Sequence, residues 1–178
     1  GVKRVVWASS ETIFGLPLTR VPPAFAPITE EHPDLPENSY ALVKLMSEEM
    51  ARQMHRWNPD TSFVGFRISN VIDPTEYPMF AGWQADPNIR KWNLWSYVDS
   101  RDVGQACRLA LEAPIKGAEH CIIAAADTCM TRPSRELMAE YFPGVRVTRS
   151  LGEFESLQSS DKAKRLLGYA PKYSWRTQ

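Results

Sequence analysis

The stretch Val5-Val6-Trp7-Ala8-Ser9-Ser10-Glu11-Thr12-Ile13-Phe14-Gly15 joins an apolar run to a pair of hydroxyls and then to a glycine. Its first part, from Val2 to Ala8, has the short β-branched character of a strand buried on both faces. Outward from it, Gly15 to Pro36 is proline-rich and reads as an irregular loop. From Ser39 to Trp57 a helical period takes over. Leu42, Leu45, Met46, Met50 and Met54 recur at three- and four-residue steps among Glu48, Glu49, Arg52 and Arg56. Asn58-Pro59-Asp60 stops that helix. A strand is expected from Ser62 to Ser69, then a helix capped by Asp99 or Ser100 and running to about Ala113. Another strand follows at Ala118–Ala125, a helix at Pro133–Phe142 and a short strand at Val145–Thr148. The last helix starts near Ser159 or Ser160 and ends at Gly168, with Pro171 just beyond. Residues 74–96 show no clear period. Strands alternating with helices predict an α/β protein with a mostly parallel sheet.

Composition limits what such a chain does. At about one domain per 150 residues, residues 1–178 are expected to form a single domain, with 71–97 as a short substrate-side segment. The chain is 43% hydrophobic and 11% aromatic, which argues against disorder. Basic and acidic residues balance at 21 each and form no basic stripe, so nucleic acid is not an expected partner. No apolar run approaches the roughly 18 residues that cross a bilayer, and no membrane partner is expected. Lys3 and Arg4 lead straight into the first strand, unlike a secretory leader. Cys107, Cys121 and Cys129 have no CxxC spacing, so a disulfide framework or zinc site is not expected and a cytoplasmic setting is. Cys107 and Cys121 read as small buried hydrophobes. His32, His55 and His120 show no paired-ligand spacing, so no metal is expected.

Two features bear on chemistry. Tyr40 and Lys44 lie four apart on one helix and so share a face. Ser9 and Ser10 stand at the C-terminal end of a strand, just where open α/β sheets bind ligands. Alone, the first reads as an interface tyrosine beside a solvated lysine and the second as a capping or turn serine. In chain order with other segments they resemble the NAD-dependent epimerase/dehydratase family, the extended short-chain dehydrogenase/reductases. Val5 to Gly15 is similar to that family's strand and "SS…VYG" segment, with Ser10 five before the glycine, and Tyr40 and Lys44 match its YxxxK. Phe66-Arg67-Ile68-Ser69-Asn70-Val71 resembles its "R-x-x-N" strand end, and Tyr97-Val98 to Asp102-Val103 its entry into a later helix. Ser160 to Pro171 resembles its closing helix.

The resemblance implies a partial Rossmann-like, doubly wound sheet and NAD or NADP as cofactor. It implies Ser10, Tyr40 and Lys44 as catalytic, and Tyr40, Lys44, Ser9 and Ile68 as cofactor contacts. Ser10, Glu11, Thr12, Asn70 and Trp95 fall at substrate-side positions. A phenol ordinarily titrates near 10, and a cation one turn away favours its phenolate, which suits general-base work. The substrate implied is a sugar or a sugar-like hydroxy or keto compound. A nucleotide-sugar epimerase is an alternative, and a non-catalytic cofactor-sensing or inactive truncated relative is another.

Departures from the family qualify these implications. Glu11-Thr12 replaces the Asp-Glu of the 4,6-dehydratases, and Trp95 stands where an arginine usually clamps a diphosphate. Arg90 or Lys91 could compensate, or both could be solvated surface charges. Trp83, Trp92, Trp95 and Tyr97 could stack on a sugar or form core. The chain contains no GxxGxxG or GxGxxG turn. It is therefore expected to correspond to the family's C-terminal three-fifths, to bind NAD(H) weakly or not at all by itself, and to dimerise through the sheet edge near Val5 or the Tyr40/Lys44 helix.

Overall fold

A computed structural model describes residues 1–177. Its main sheet consists of β1 (Arg4–Ala8), β3 (Ser62–Ile68) and β6 (Ala118–Ile123), all parallel, in the order β1-β3-β6. The register sets Val6 opposite Val64, Trp7 opposite Gly65, and Phe66 opposite Cys121. Parallel pairing needs a crossover after each strand. Here α1 (Ser39–Trp57) lies between β1 and β3, and α4 (Ser100–Glu112) lies between β3 and β6. α1 covers one face of the sheet, while α4 and α6 (Asp161–Leu167) cover the other. This is a Rossmann-like three-layer arrangement. β1 is the outer strand and is half-buried rather than enclosed on both faces, because among the described residues only β3 pairs with it.

The α4/α6 face is apolar. Val64, Phe66, Cys121 and Ile123 pack on Ala106, Ala110, Ala163 and Leu167. Asp99 caps α4 by accepting from the Arg101 N–H at 2.8 Å, and α6 stops at Gly168 in the left-handed region, φ 73°. α1 begins at Asn38, whose side chain accepts from the Ala41 N–H at 2.9 Å. Its Leu42–Met46–Met50–Met54 stripe faces outward, while Ala41, Glu48 and Ala51 face the sheet. Small side chains bring that face close to the strands, where Glu48 meets a buried arginine.

A second core packs beside the sheet. β4 (Val71–Ile72) pairs with β5 (Val98–Asp99), and β2 (Phe25–Ala26) pairs with β7 (Arg146–Val147), both in parallel. Residues 74–96, without a period in the sequence, form a 3-10 turn at Pro74–Met79 and two one-turn helices, α2 (Phe80–Trp83) and α3 (Asn88–Lys91). With α5 (Ser134–Tyr141) they enclose Phe80, Leu94, Trp95, Tyr97 and Leu137. Cys121 and Cys129 are buried, and burial pushes both thiols up to about 12; Cys107 is only half-buried.

Candidate active site

β1 ends at Ala8, and the chain turns at Ser9-Ser10 into a 3-10 turn, Glu11–Phe14. Gly15 closes that turn at φ 95°, where a side chain would be strained. Ser10 caps it: its Oγ accepts from the Thr12 N–H at 3.2 Å and from the Thr12 hydroxyl at 2.9 Å. With its acceptor capacity used, the Ser10 hydroxyl keeps its own proton to donate.

α1 supplies the facing groups. Lys44 Nζ donates to the Ala8 carbonyl at 2.6 Å and sits 5.4 Å from the Tyr40 ring centroid. That contact ties the end of β1 to the helix and leaves two ammonium donors free. Tyr40 is 56% exposed, so a bound molecule can reach its phenol. Ser10, Glu11, Thr12, Tyr40, Ile68, Asn70 and Trp92 line one open cleft of about 370 Å³ beyond the C-terminal ends of β1 and β3. Residues far apart in the chain are thus brought together there.

Three expectations from the sequence are corrected. Ser9 lines the same cleft but is 3% exposed, and its hydroxyl donates to Glu48 Oε1 at 2.6 Å. That bond turns the Ser9 hydroxyl inward, toward Glu48. Trp95 is fully buried, with its Nε1 donating to the Pro87 carbonyl at 2.7 Å, so the indole is core and does not face the cleft. Arg90 is neither solvated nor at the cleft wall. It is buried with its guanidinium 4.6 Å from the Trp83 ring and 4.9 Å from the Trp92 ring. Lys91 is half-buried over the Phe142 ring at 4.9 Å.

Glu48 and Arg67 form a support that the sequence reading missed. Arg67, 1% exposed, grips Glu48 through Nε to Oε1 at 3.0 Å and Nη2 to Oε2 at 2.7 Å. Its Nη1 lies 2.9 Å from Asp34. His120 Nδ1 lies 3.5 Å from Glu48. Burial works against the charge on Glu48, but the Arg67 hydrogen bonds and charge hold its carboxyl below the usual range. Two signals pointed to this pair. Glu48 follows Lys44 by four residues on the same helix, and a charged residue inside an apolar strand needs a partner.

Glu11 lies 3% exposed behind Ser10. Ser69 Oγ donates to its Oε2 at 2.9 Å, Asn93 Nδ2 donates to Oε1 at 3.3 Å, and Gln158 Nε2 also donates to Oε2. Burial raises its pKa to about 7, against the pull of these neutral donors and of Arg90.

The match to the NAD dependent epimerase/dehydratase family model covers residues 1–124. The chain belongs to that family. Within the family it is similar to UDP-glucose 4-epimerase of Bacillus subtilis, at 32% identity over 111 residues. The shared stretch is 62% of this chain and 30% of the relative. An Agrobacterium tumefaciens short-chain dehydrogenase/reductase solved with bound NAD shares the fold, with TM-score 0.66 and 23% identity over 99% of this chain and 64% of that one. So does a Bifidobacterium longum UDP-glucose 4-epimerase in complex with NAD+ and UDP, with TM-score 0.61 and 17% identity over 97% and 60% of the two chains. Among the described residues no helix is long and apolar enough to cross a membrane.

Proposed function

We propose that this chain carries the proton-handling part of an NAD(P)-dependent oxidoreductase or epimerase acting on a sugar or sugar-like hydroxy or keto substrate. The observation that carries it is the cleft beyond the strand ends that Ser10 and Tyr40 both line, with Lys44 fixed on the Ala8 carbonyl beside the Tyr40 ring. Tyr40 takes the proton of the substrate hydroxyl as general base, and Lys44 favours the phenolate that does so. Ser10 donates to the substrate oxygen and stabilises the charge growing on it. The two free Lys44 donors would suit a ribose diol, and Ile68 gives the cleft an apolar wall. The nicotinamide, when bound, exchanges hydride with the substrate carbon. Thr12 and Asn70 bound the substrate side.

Tyr40→Phe in the whole protein, supplied with NAD+ and NADP+ and assayed on free uronates and UDP-hexoses, tests this reading. Turnover is expected to fall by about 10²-fold or more. Unchanged turnover removes Tyr40 from its role. A nucleotide-sugar epimerase is the second reading, favoured by the identity to UDP-glucose 4-epimerases. It needs a diphosphate clamp from outside Trp95 and Arg90, both of which are buried. Exclusive turnover of UDP-hexoses in the same panel would select it.

The 178 residues hold no Gly-rich pyrophosphate turn, so NADH titrated into this chain alone by calorimetry is expected to bind weakly or not at all. Leu42, Val43, Met46 and Met50 on α1 are exposed, and among the described residues the outer edge of β1 is unpaired; we expect a homodimer through one of the two, checked by sedimentation.

A further inference from the structure

We propose that Glu11 is a positioning residue for Ser10, held in a buried, proton-dependent clasp by Ser69, Asn93 and Gln158, through which the loop before α6 acts on the cleft. The inference rests on the reading of Ser10 as the substrate's hydrogen-bond donor.

Glu11 is the first residue of the turn that Ser10 caps, so the carboxyl and the hydroxyl move as one unit. Its three donors come from three separate segments: the end of β3, the turn before β5 and the loop before α6. Gln158 lies 147 residues away in the chain. The turn before β5 is strained, because Leu94 and Trp95 both adopt left-handed backbone, φ 57° and 55°. Asn93 stands at its start and closes it by donating Nδ2 to the Ser96 carbonyl at 2.9 Å. A costly backbone is therefore kept where it delivers a donor to Glu11.

The clasp also holds buried polar atoms without partners: Asn93 Oδ1, Gln158 Oε1 and Arg90 Nε. Such atoms are costly to bury and call for an explanation. The carboxylate state uses only the N–H ends of the two amides. When Glu11 takes a proton from solvent it gains an O–H donor, and the Gln158 amide, turned about its bond, offers its idle carbonyl as acceptor, while Asn93 keeps its bond to Ser96. The titration of Glu11 near 7 agrees with two states of similar energy. The charged group acting on it from the packed elements is Arg90; Ser69, Ser96, Asn93 and Gln158 are neutral.

The test is a pH titration of the protein by NMR, following the Ser10 and Thr12 backbone amides and the Asn93 and Gln158 side-chain amides from pH 5 to 9. A shared midpoint near 7 is expected, lost in Glu11→Gln. In Gln158→Met, which removes one donor to the carboxylate, the midpoint is expected to rise by about 1 pH unit. The proposal falls if wild type shows no common midpoint, if the midpoint survives Glu11→Gln, or if Gln158→Met leaves it unmoved. Should Glu11→Gln fail to fold, the wild-type and Gln158→Met titrations still decide. These readouts need no turnover, so they stand apart from the Tyr40→Phe result.

Discussion

Two buried carboxyls flank the cleft, and the protein treats them in opposite ways. Glu48, on the sheet-facing side of α1, is 6% exposed and gripped by Arg67 at two points. Glu11, beneath the Ser10 turn, is 3% exposed and receives only neutral donors directly. Burial penalises both charges. The bidentate guanidinium overcomes that penalty at Glu48, whereas the neutral donors do not at Glu11. The first arrangement fixes the helix that carries Tyr40 and Lys44. The second leaves a group near neutrality next to Ser10. Equal burial therefore says little about a carboxyl until its partner's charge is known.

The largest effect expected from this contrast comes from Glu48→Ala, which leaves Arg67 buried with only half-exposed Asp34 for charge. A loss of about 3–5 kcal/mol in urea unfolding is expected. A loss no larger than that of a surface substitution would dissolve the contrast.

The pH dependence has opposite signs at the two sites. The folded Glu11 pKa of about 7 lies above the ordinary 4.5, so the native state holds the proton more tightly. That contribution is fully present below 4.5 and is lost as pH rises to 7, about 3 kcal/mol in all. Glu11→Gln is expected to flatten this slope in chemical denaturation at pH 4.5, 6 and 8. Glu48, held below its ordinary value, contributes stability above 4.5 that is lost as pH falls through its depressed pKa.

A smaller effect is expected at Gly65. A Cβ there would meet the Trp7 ring at 2.5 Å, on the sheet face that Glu48 covers. Gly65→Ala should cost about 1–3 kcal/mol and displace the indole, seen as a changed Trp fluorescence maximum. Smallest is Ser9→Ala, which removes one neutral donor from Glu48 but leaves Arg67 in place. About 1 kcal/mol is expected, with a small rise in the Glu48 midpoint by NMR.

Much of this was legible in the residues themselves. α1 has the bounds that its period and Asn58-Pro59 imply, and Asp99 and Gly168 act as the cap and stop that their types predict. Short-range rules suffice there, because each element's hydrogen bonds close within itself. Residues 74–96 were not legible, since one-turn helices leave no period, and β2 in the proline-rich loop rests on a distant partner in β7. The hydroxyls, Tyr40 and Lys44 were found from their order along the chain. The inward turn of Ser9, the burial of Trp95 and the stacking of Arg90 were not, because side-chain direction depends on what packs opposite.

The sequence by itself determined the alternation of strands and helices, their caps, and the residues proposed to handle a proton. Only the tertiary structure decided which groups face the cleft. Glu11 and Glu48 are the same residue type, yet one titrates near neutrality and the other is held ionised. The difference comes from contacts between residues 19 to 147 positions apart, since a buried charge is set by its partners and not by its neighbours in the chain.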